Sequence, residues 1–344
     1  MAFSFDDGVR RKWHDDINIR WIQAGPEGII GGMRAFVRHA SGSIVALALA
    51  LLIGVAARPA AAAPAKIRIL ATVFPLQQFA AAVAGDRGEA NLLLPPGAGV
   101  HTWQPRPEDI IRLSSCDLLL YIGSGLEPWL PDMLRAFPKG RIRTLEAAAG
   151  LAVADADEPE AVHEHGPEGL DPHVWLDFSI DQRIVDRIAA ELTRIDPAGG
   201  PTFAANAGQL NERLRALDAE FRTGLSGCRG KTIVLAGHGA FGYLARRYGL
   251  EQIALFGLSP DALPKARDLM RVIDLCREKG IRTVYFENSV PPDLSVTLAK
   301  EIGGRVLVLK AGHNLTRAEQ EKKTGFFDLM RDDLAQLRDG LGCR

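Results

Sequence analysis

Short runs of β-branched and large apolar residues alternate along this chain with stretches whose apolar positions recur every three or four residues. The runs Lys66–Phe74, Ala90–Leu94, Asp117–Ile122, Lys231–Ala236, Arg282–Phe286 and Arg305–Leu309 predict strands. The periodic stretches Leu76–Ala84, Arg106–Ser114, Ala240–Tyr248, Ala262–Lys279, Asp293–Ile302 and about 316–341 predict helices. Strand and helix in alternation is the pattern of βαβ units around mainly parallel sheets. The alternation breaks after Gly150. Asp155–Gly169 is polar, acidic and punctuated by Pro and Gly, and reads as a loop. Two longer helices follow, over about 179–195 and 201–226. In the second, Leu210, Leu214, Leu217 and Phe221 mark one apolar face. The prediction is an α/β protein with two lobes, each a mainly parallel sheet flanked by helices, joined by one long rigid helix. The boundaries are an N-terminal lobe at 64–200, a linking helix at 201–227 and a C-terminal lobe at 228–344.

Residues 1–63 read as a leader. Ile44–Ala57 is apolar for 14 residues, short of the about 20 that a bilayer span needs. Arg34, Arg38 and His39 precede it and Ala60–Ala63 follow, the basic, apolar and small-residue order of a secretory signal peptide. Cleavage is expected near Ala63. The 32 residues before Met33 are long for such a basic segment, so Met33 is a candidate true start. No cysteine lies between Gly42 and Lys66 to carry a lipid. The expected destination is an oxidising compartment such as a bacterial periplasm.

Composition narrows the class. The whole chain carries 41 basic and 42 acidic residues, a net charge of −1, which lacks the basic excess of a nucleic-acid binder. Cys116, Cys228, Cys276 and Cys343 show no CxxC spacing, so a cysteine zinc cluster is not expected. Four cysteines allow three pairings. One disulfide within the second half suits an exported protein; buried thiols are the alternative.

The histidines carry the chemistry. His14 and His39 belong to the leader, and His163 and His165 to the acidic loop. His101, His173, His238 and His313 each sit in a loop punctuated by Gly or Pro. His101 and His238 follow predicted strands, where open α/β sheets meet their ligands. His173 lies in DPHVWLDF, where Asp171 or a backbone carbonyl can orient its second nitrogen. One such histidine is an ordinary loop residue. Several in equivalent places can converge on a metal, and an all-imidazole set suits zinc better than magnesium or calcium.

PPGAGVHTWQPRPEDIIRL, CDLLLYIGSGLEPWL, DPHVWLD, GHGAFGYLARRYGL and VYFENSVPPDLSVTLAKEIGGRVLVL, in this order, resemble the periplasmic zinc-binding components of ABC-type zinc and manganese importers. The resemblance runs from about Lys66 to Leu337. It implies a metal in the interlobe cleft, held by His101 and His173 from the first lobe and His238 from the second. Manganese-type relatives tend to carry a carboxylate where His238 stands, so Zn²⁺ is the implied cargo over Mn²⁺. The family commonly supplies a fourth ligand after the last strand. Here Leu309 is followed by Lys310, which cannot coordinate while protonated, so His313, Glu287 and water compete for the position.

The function so implied is a monomeric solute-binding protein that delivers Zn²⁺ to an ABC-type permease in the inner membrane, without catalysis. Two alternatives stand beside it. One is a zinc hydrolase that uses three histidines and an open position, with Glu287 as general base. The chain has no HExxH or GxSxG to support that. The other is a metal-binding surface adhesin of the same fold.

Overall fold

The computed structural model describes residues 65–151, 170–256, 266–287 and 293–344. The leader, the acidic loop 155–169 with its two histidines, and the predicted start of the 262–279 helix lie outside those residues.

Among the described residues, eight strands form two parallel sheets of four. β1 (Ile67–Ala71), β2 (Gly88–Leu92), β3 (Leu118–Tyr121) and β4 (Thr144–Glu146) lie in the order β2-β1-β3-β4. β5 (Thr232–Leu235), β6 (Glu251–Ala254), β7 (Thr283–Glu287) and β8 (Arg305–Leu309) repeat it as β6-β5-β7-β8. Ile69 pairs with Ala90 and with Leu118, and Leu235 with Tyr285. Strand order reverses between β1 and β3, and again between β5 and β7. These switch points are where an open parallel sheet leaves a crevice at its carboxyl edge. β4 and β6 are absent from the sequence prediction. Each is an edge strand of three or four residues, too short and too half-buried to show a period.

The helices are α1 (Phe74–Ala84), α2 (Pro107–Ser115), α3 (Leu130–Arg135), α4 (Phe178–Ile195), α5 (Gly200–Ser226), α6 (Gly242–Tyr248), α7 (Ala266–Glu278), α8 (Asp293–Glu301), α9 (Arg317–Glu321) and α10 (Phe326–Gly340). α5 has 27 residues and is therefore about 40 Å long. It buries Phe203, Ala207, Leu210, Leu214, Leu217, Phe221 and Leu225, the apolar face read from the sequence. The C-terminal stretch predicted as one helix is two. The break holds Lys323 in the left-handed region at φ 54°, and Asp328 then accepts the Gly325 amide to start α10.

α10 packs on both halves of the fold. Phe326 sets its ring edge-on to Phe79 of α1, with centroids 5.1 Å apart, while Leu337 lies beneath Tyr285 of β7, whose hydroxyl donates to its carbonyl. Accordingly, the main apolar core is continuous from Ile69 and Leu118 of the first sheet to Ile233 and Leu309 of the second. A smaller cluster, Val234, Val272, Ile273, Cys276, Val284 and Leu298, fills the other face of the second sheet. Cys228 and Cys343 form a disulfide that ties the end of α5 to the end of the chain, while Cys116 and Cys276 are free thiols. Among the described residues, no helix is long and apolar enough to cross a membrane.

Candidate metal centre

His101 is carried by the loop that leaves β2. Pro95 and Pro96 cannot continue a strand, and Gly97 turns the chain at φ 78°, a conformation open to glycine. The loop is pinned on both sides. The Trp129 indole donates to the Val100 carbonyl at 2.7 Å, and Trp103 stands edge-on to Trp129. From the other lobe, the Asn314 amide donates to the carbonyls of Pro95 and Ala98, and Gly97 donates to the Leu315 carbonyl. Asn314 therefore stitches loops together. The cap of α9 is Thr316, in a reciprocal box with Glu319.

His173 lies at the entry to a single 3-10 turn, Val174–Leu176, ahead of α4, which Asp177 caps. Asp171 Oδ1 accepts the His173 amide at 2.9 Å and lies 2.9 Å from His173 Nδ1, with both side chains fully buried. Trp175 fixes the same turn from the second lobe's side by donating its indole N–H to the Ala311 carbonyl.

His238 follows β5, and Glu287 ends the neighbouring β7, so the pair occupies the switch point of the second sheet. His238 Nδ1 is 2.7 Å from Glu287 Oε2, and both residues are buried. Asp171 and Glu287 thus each face an Nδ1. This leaves the Nε2 atoms of His173 and His238 toward each other, 3.3 Å apart. His101 Nε2 is buried and makes no hydrogen bond. One ring nitrogen from each of His101, His173 and His238 lies within 4.8 Å of the others, and the ring centroids are separated by 5.1–5.5 Å.

His313 is not in that set of three. It is buried beside it, with Nδ1 3.7 Å from Glu287 Oε1. Gly312 at φ 74° turns it inward, and its carbonyl accepts the Phe74 amide. Lys310 is engaged elsewhere, in ion pairs with Glu319 and Asp332.

The electrostatics favour a cation. Burial, reinforced by the neighbouring rings, holds His101 and His173 well below the ordinary imidazole range, so both keep free lone pairs in mild acid. Burial likewise lowers His313. Burial opposes the charged form of His238 as well, but the Glu287 carboxylate outweighs it and raises its pKa. Glu287 is pushed upward by burial, yet the surrounding imidazoles, His238 foremost, hold it down to about 2. Burial raises Asp171 to about 7 against the His173 amide and Arg246. Three imidazole nitrogens, two of them on rings backed by carboxylates, make a site for a divalent ion of borderline softness. A carboxylate behind a ligating imidazole fixes its tautomer and strengthens it as a donor. Sequence reasoning offers Asp171 or a backbone carbonyl for this role at His173, and the structure has Asp171 there. It misses the role for Glu287, weighing that residue only as a base or a ligand. Its signal was its place at the end of the strand beside β5.

The zinc-uptake complex component A, periplasmic family model (ZnuA) matches residues 69–340. The high-affinity zinc uptake system protein ZnuA of Bacillus subtilis (strain 168) is 31% identical over 283 residues, 80% of this chain and 88% of that protein. The zinc-binding lipoprotein AdcA of Streptococcus pneumoniae is 33% identical, but this chain spans only 60% of its length. The solved Zn(II)-bound ZnuA-like domain of that AdcA aligns over 80% of this chain and 99% of the domain, with a TM-score of 0.67 and 31% identity. The laminin-binding protein Lmb of Streptococcus agalactiae, described as a bifunctional adhesin and metal transporter, aligns over 80% of this chain and 99% of its own with a TM-score of 0.70 at 26% identity. With its two switch-point sheets, its long helix and its converged imidazoles, this chain belongs to the ZnuA family of zinc-uptake components.

Proposed function

We propose that the mature chain is a periplasmic solute-binding protein that captures Zn²⁺ between its lobes and delivers it to an ABC-type permease in the inner membrane. The observation that carries the reading is the convergence of three imidazoles within 4.8 Å of one another, two of them backed by buried carboxylates. His101 and His173 come from the lobe at 64–200, His238 from the lobe at 228–344, and the helix at 201–227 joins the two. We assign the fourth position to His313, since it is buried and shares Glu287 with His238; Glu287 itself and water are the alternatives. Binding does not need a large motion, because the segment Ala311–Leu315 is already bonded to Phe74, Gly97 and Trp175 of the first lobe. The leader at 1–63 directs export, and the protein acts as a monomer.

Catalysis is the weaker reading. Glu287, which a hydrolase would need as its base, faces the Nδ1 atoms of His238 and His313. Calorimetric zinc titration tests the ligand set. Alanine at His101, His173 or His238 weakens binding at least tenfold, about 1.4 kcal/mol, and unchanged affinity in any variant removes that residue. Zinc-loaded protein stimulates the ATPase of its purified importer, whereas zinc-dependent hydrolysis of ester or amide substrates would favour the enzyme.

A further inference from the structure

Asp171 is a fully buried carboxylate. Its Oδ1 serves His173 twice, at the amide and at Nδ1, while its Oδ2 accepts no hydrogen bond. A buried carboxyl group with one oxygen unbonded is held in place by the charges packed against it. One such charge comes from the opposite lobe. Arg246 Nη2 of α6 lies 3.8 Å from Asp171 Oδ2, its guanidinium over the Tyr243 ring at 4.7 Å. The Tyr243 hydroxyl donates to the Asp171 backbone carbonyl at 3.2 Å. Tyr243 and Arg246 are three apart on one helix and so share a face, and they grip Asp171 at its carbonyl and its carboxylate. α6 begins four residues after His238. The short segment that supplies the second lobe's histidine therefore also supplies the support for a first-lobe histidine.

We propose that Arg246 is a positioning residue for zinc. It fixes the Asp171 carboxylate against His173, keeps the proton of neutral His173 on Nδ1, and so aims the Nε2 lone pair at the ion. It acts through Asp171 rather than on the ion. This inference rests on the zinc reading above.

The test compares the wild type with Arg246→Ala, Arg246→Gln, Arg246→Lys, His173→Ala and the double variant Arg246→Ala/His173→Ala. Zinc affinity is measured against a competing chelator. The His173 tautomer of the apoprotein is read from ¹⁵N shifts, and apo thermal melting reports folding. Arg246→Ala and Arg246→Gln should weaken zinc about tenfold and raise the population of the Nε2–H tautomer of His173. Arg246→Lys, which keeps the charge, should recover most of the affinity and the Nδ1–H tautomer. The double variant should bind about as well as His173→Ala alone, since both changes act through one imidazole. A loss in Arg246→Ala with the tautomer unchanged, or losses that add in full in the double variant, would overturn the inference. Wild-type affinity in both neutral variants would do the same while leaving the zinc reading intact. Wild-type affinity in His173→Ala would instead bring down the reading of His173 and the inference with it.

Discussion

Replacing Glu287 by glutamine is the sharpest perturbation of the second sheet's switch point. The glutamine carbonyl can still accept the His238 Nδ1–H across the present 2.7 Å, so geometry is retained and charge is lost. A hydrogen bond to a charged group contributes about 1.5–3 kcal/mol against about 0.5–1.5 for a neutral one. The difference predicts a zinc dissociation constant about tenfold higher at neutral pH, near 1.4 kcal/mol. Alanine removes the acceptor and strands a buried N–H, which costs roughly a further 1–3 kcal/mol. The expected order is wild type, then Glu287→Gln, then Glu287→Ala, at about ten- and a hundredfold or more. Acid reverses part of the glutamine effect. Glu287 raises the pKa of His238, so in the wild type a proton competes with zinc at Nε2 as the pH falls. Without the carboxylate His238 is less basic, and the deficit of Glu287→Gln narrows in acid. Competition titrations against a chelator at several pH values measure both effects. Unchanged affinity in Glu287→Gln would refute the orienting role. A loss of a thousandfold or more, without the acid crossover, would make Glu287 a ligand instead.

Cys343→Ser should destabilise the protein by up to about 5 kcal/mol, the loop-entropy value for a bridge closing 115 residues, as read by urea unfolding. Its zinc affinity should stay within about threefold of wild type, because Cys228 precedes β5 whereas His238 follows it, at the strand's other end. Burial raises Glu127 to about 7 against hydrogen bonds from Thr72, Ile122 and Gly123. The folded state therefore keeps a proton that the unfolded chain loses near the ordinary glutamate value of 4.5. Stability from this group is full below that pH and declines as the pH rises toward 7; Glu127→Gln should flatten that decline in pH-dependent unfolding. Deleting residues 155–169 should leave zinc affinity at the main site within about threefold, since His101, His173 and His238 lie elsewhere in the chain. A larger loss in calorimetry would place the loop in the site.

The sheets were legible because parallel strands buried on both faces read as apolar runs, as in LLLY at 118–121 and TIVL at 232–235. The long helix was legible from its apolar face. The edge strands β4 and β6 were not, since each contributes too few buried residues to make a pattern. The break between α9 and α10 was hidden because Lys323 adopts a left-handed conformation that its residue type does not announce. At the site, the three histidines stood out by residue type and by their place after strands or beside Pro. Glu287 and Arg246 did not, because their roles depend on which elements become neighbours. Glu287 meets His238 only through the β5–β7 pairing, and Arg246 meets Asp171 only across the lobes.

The proposed function requires that imidazoles from both lobes hold one zinc ion. X-ray absorption at the zinc edge on protein loaded with one equivalent, paired with a zinc-bound crystal structure, tests it most directly. His101, His173 and His238 should coordinate through nitrogens about 2.0–2.1 Å from the metal, with His313 completing the shell. A metal shell that omits any of His101, His173 and His238, or that contains sulfur, would contradict it.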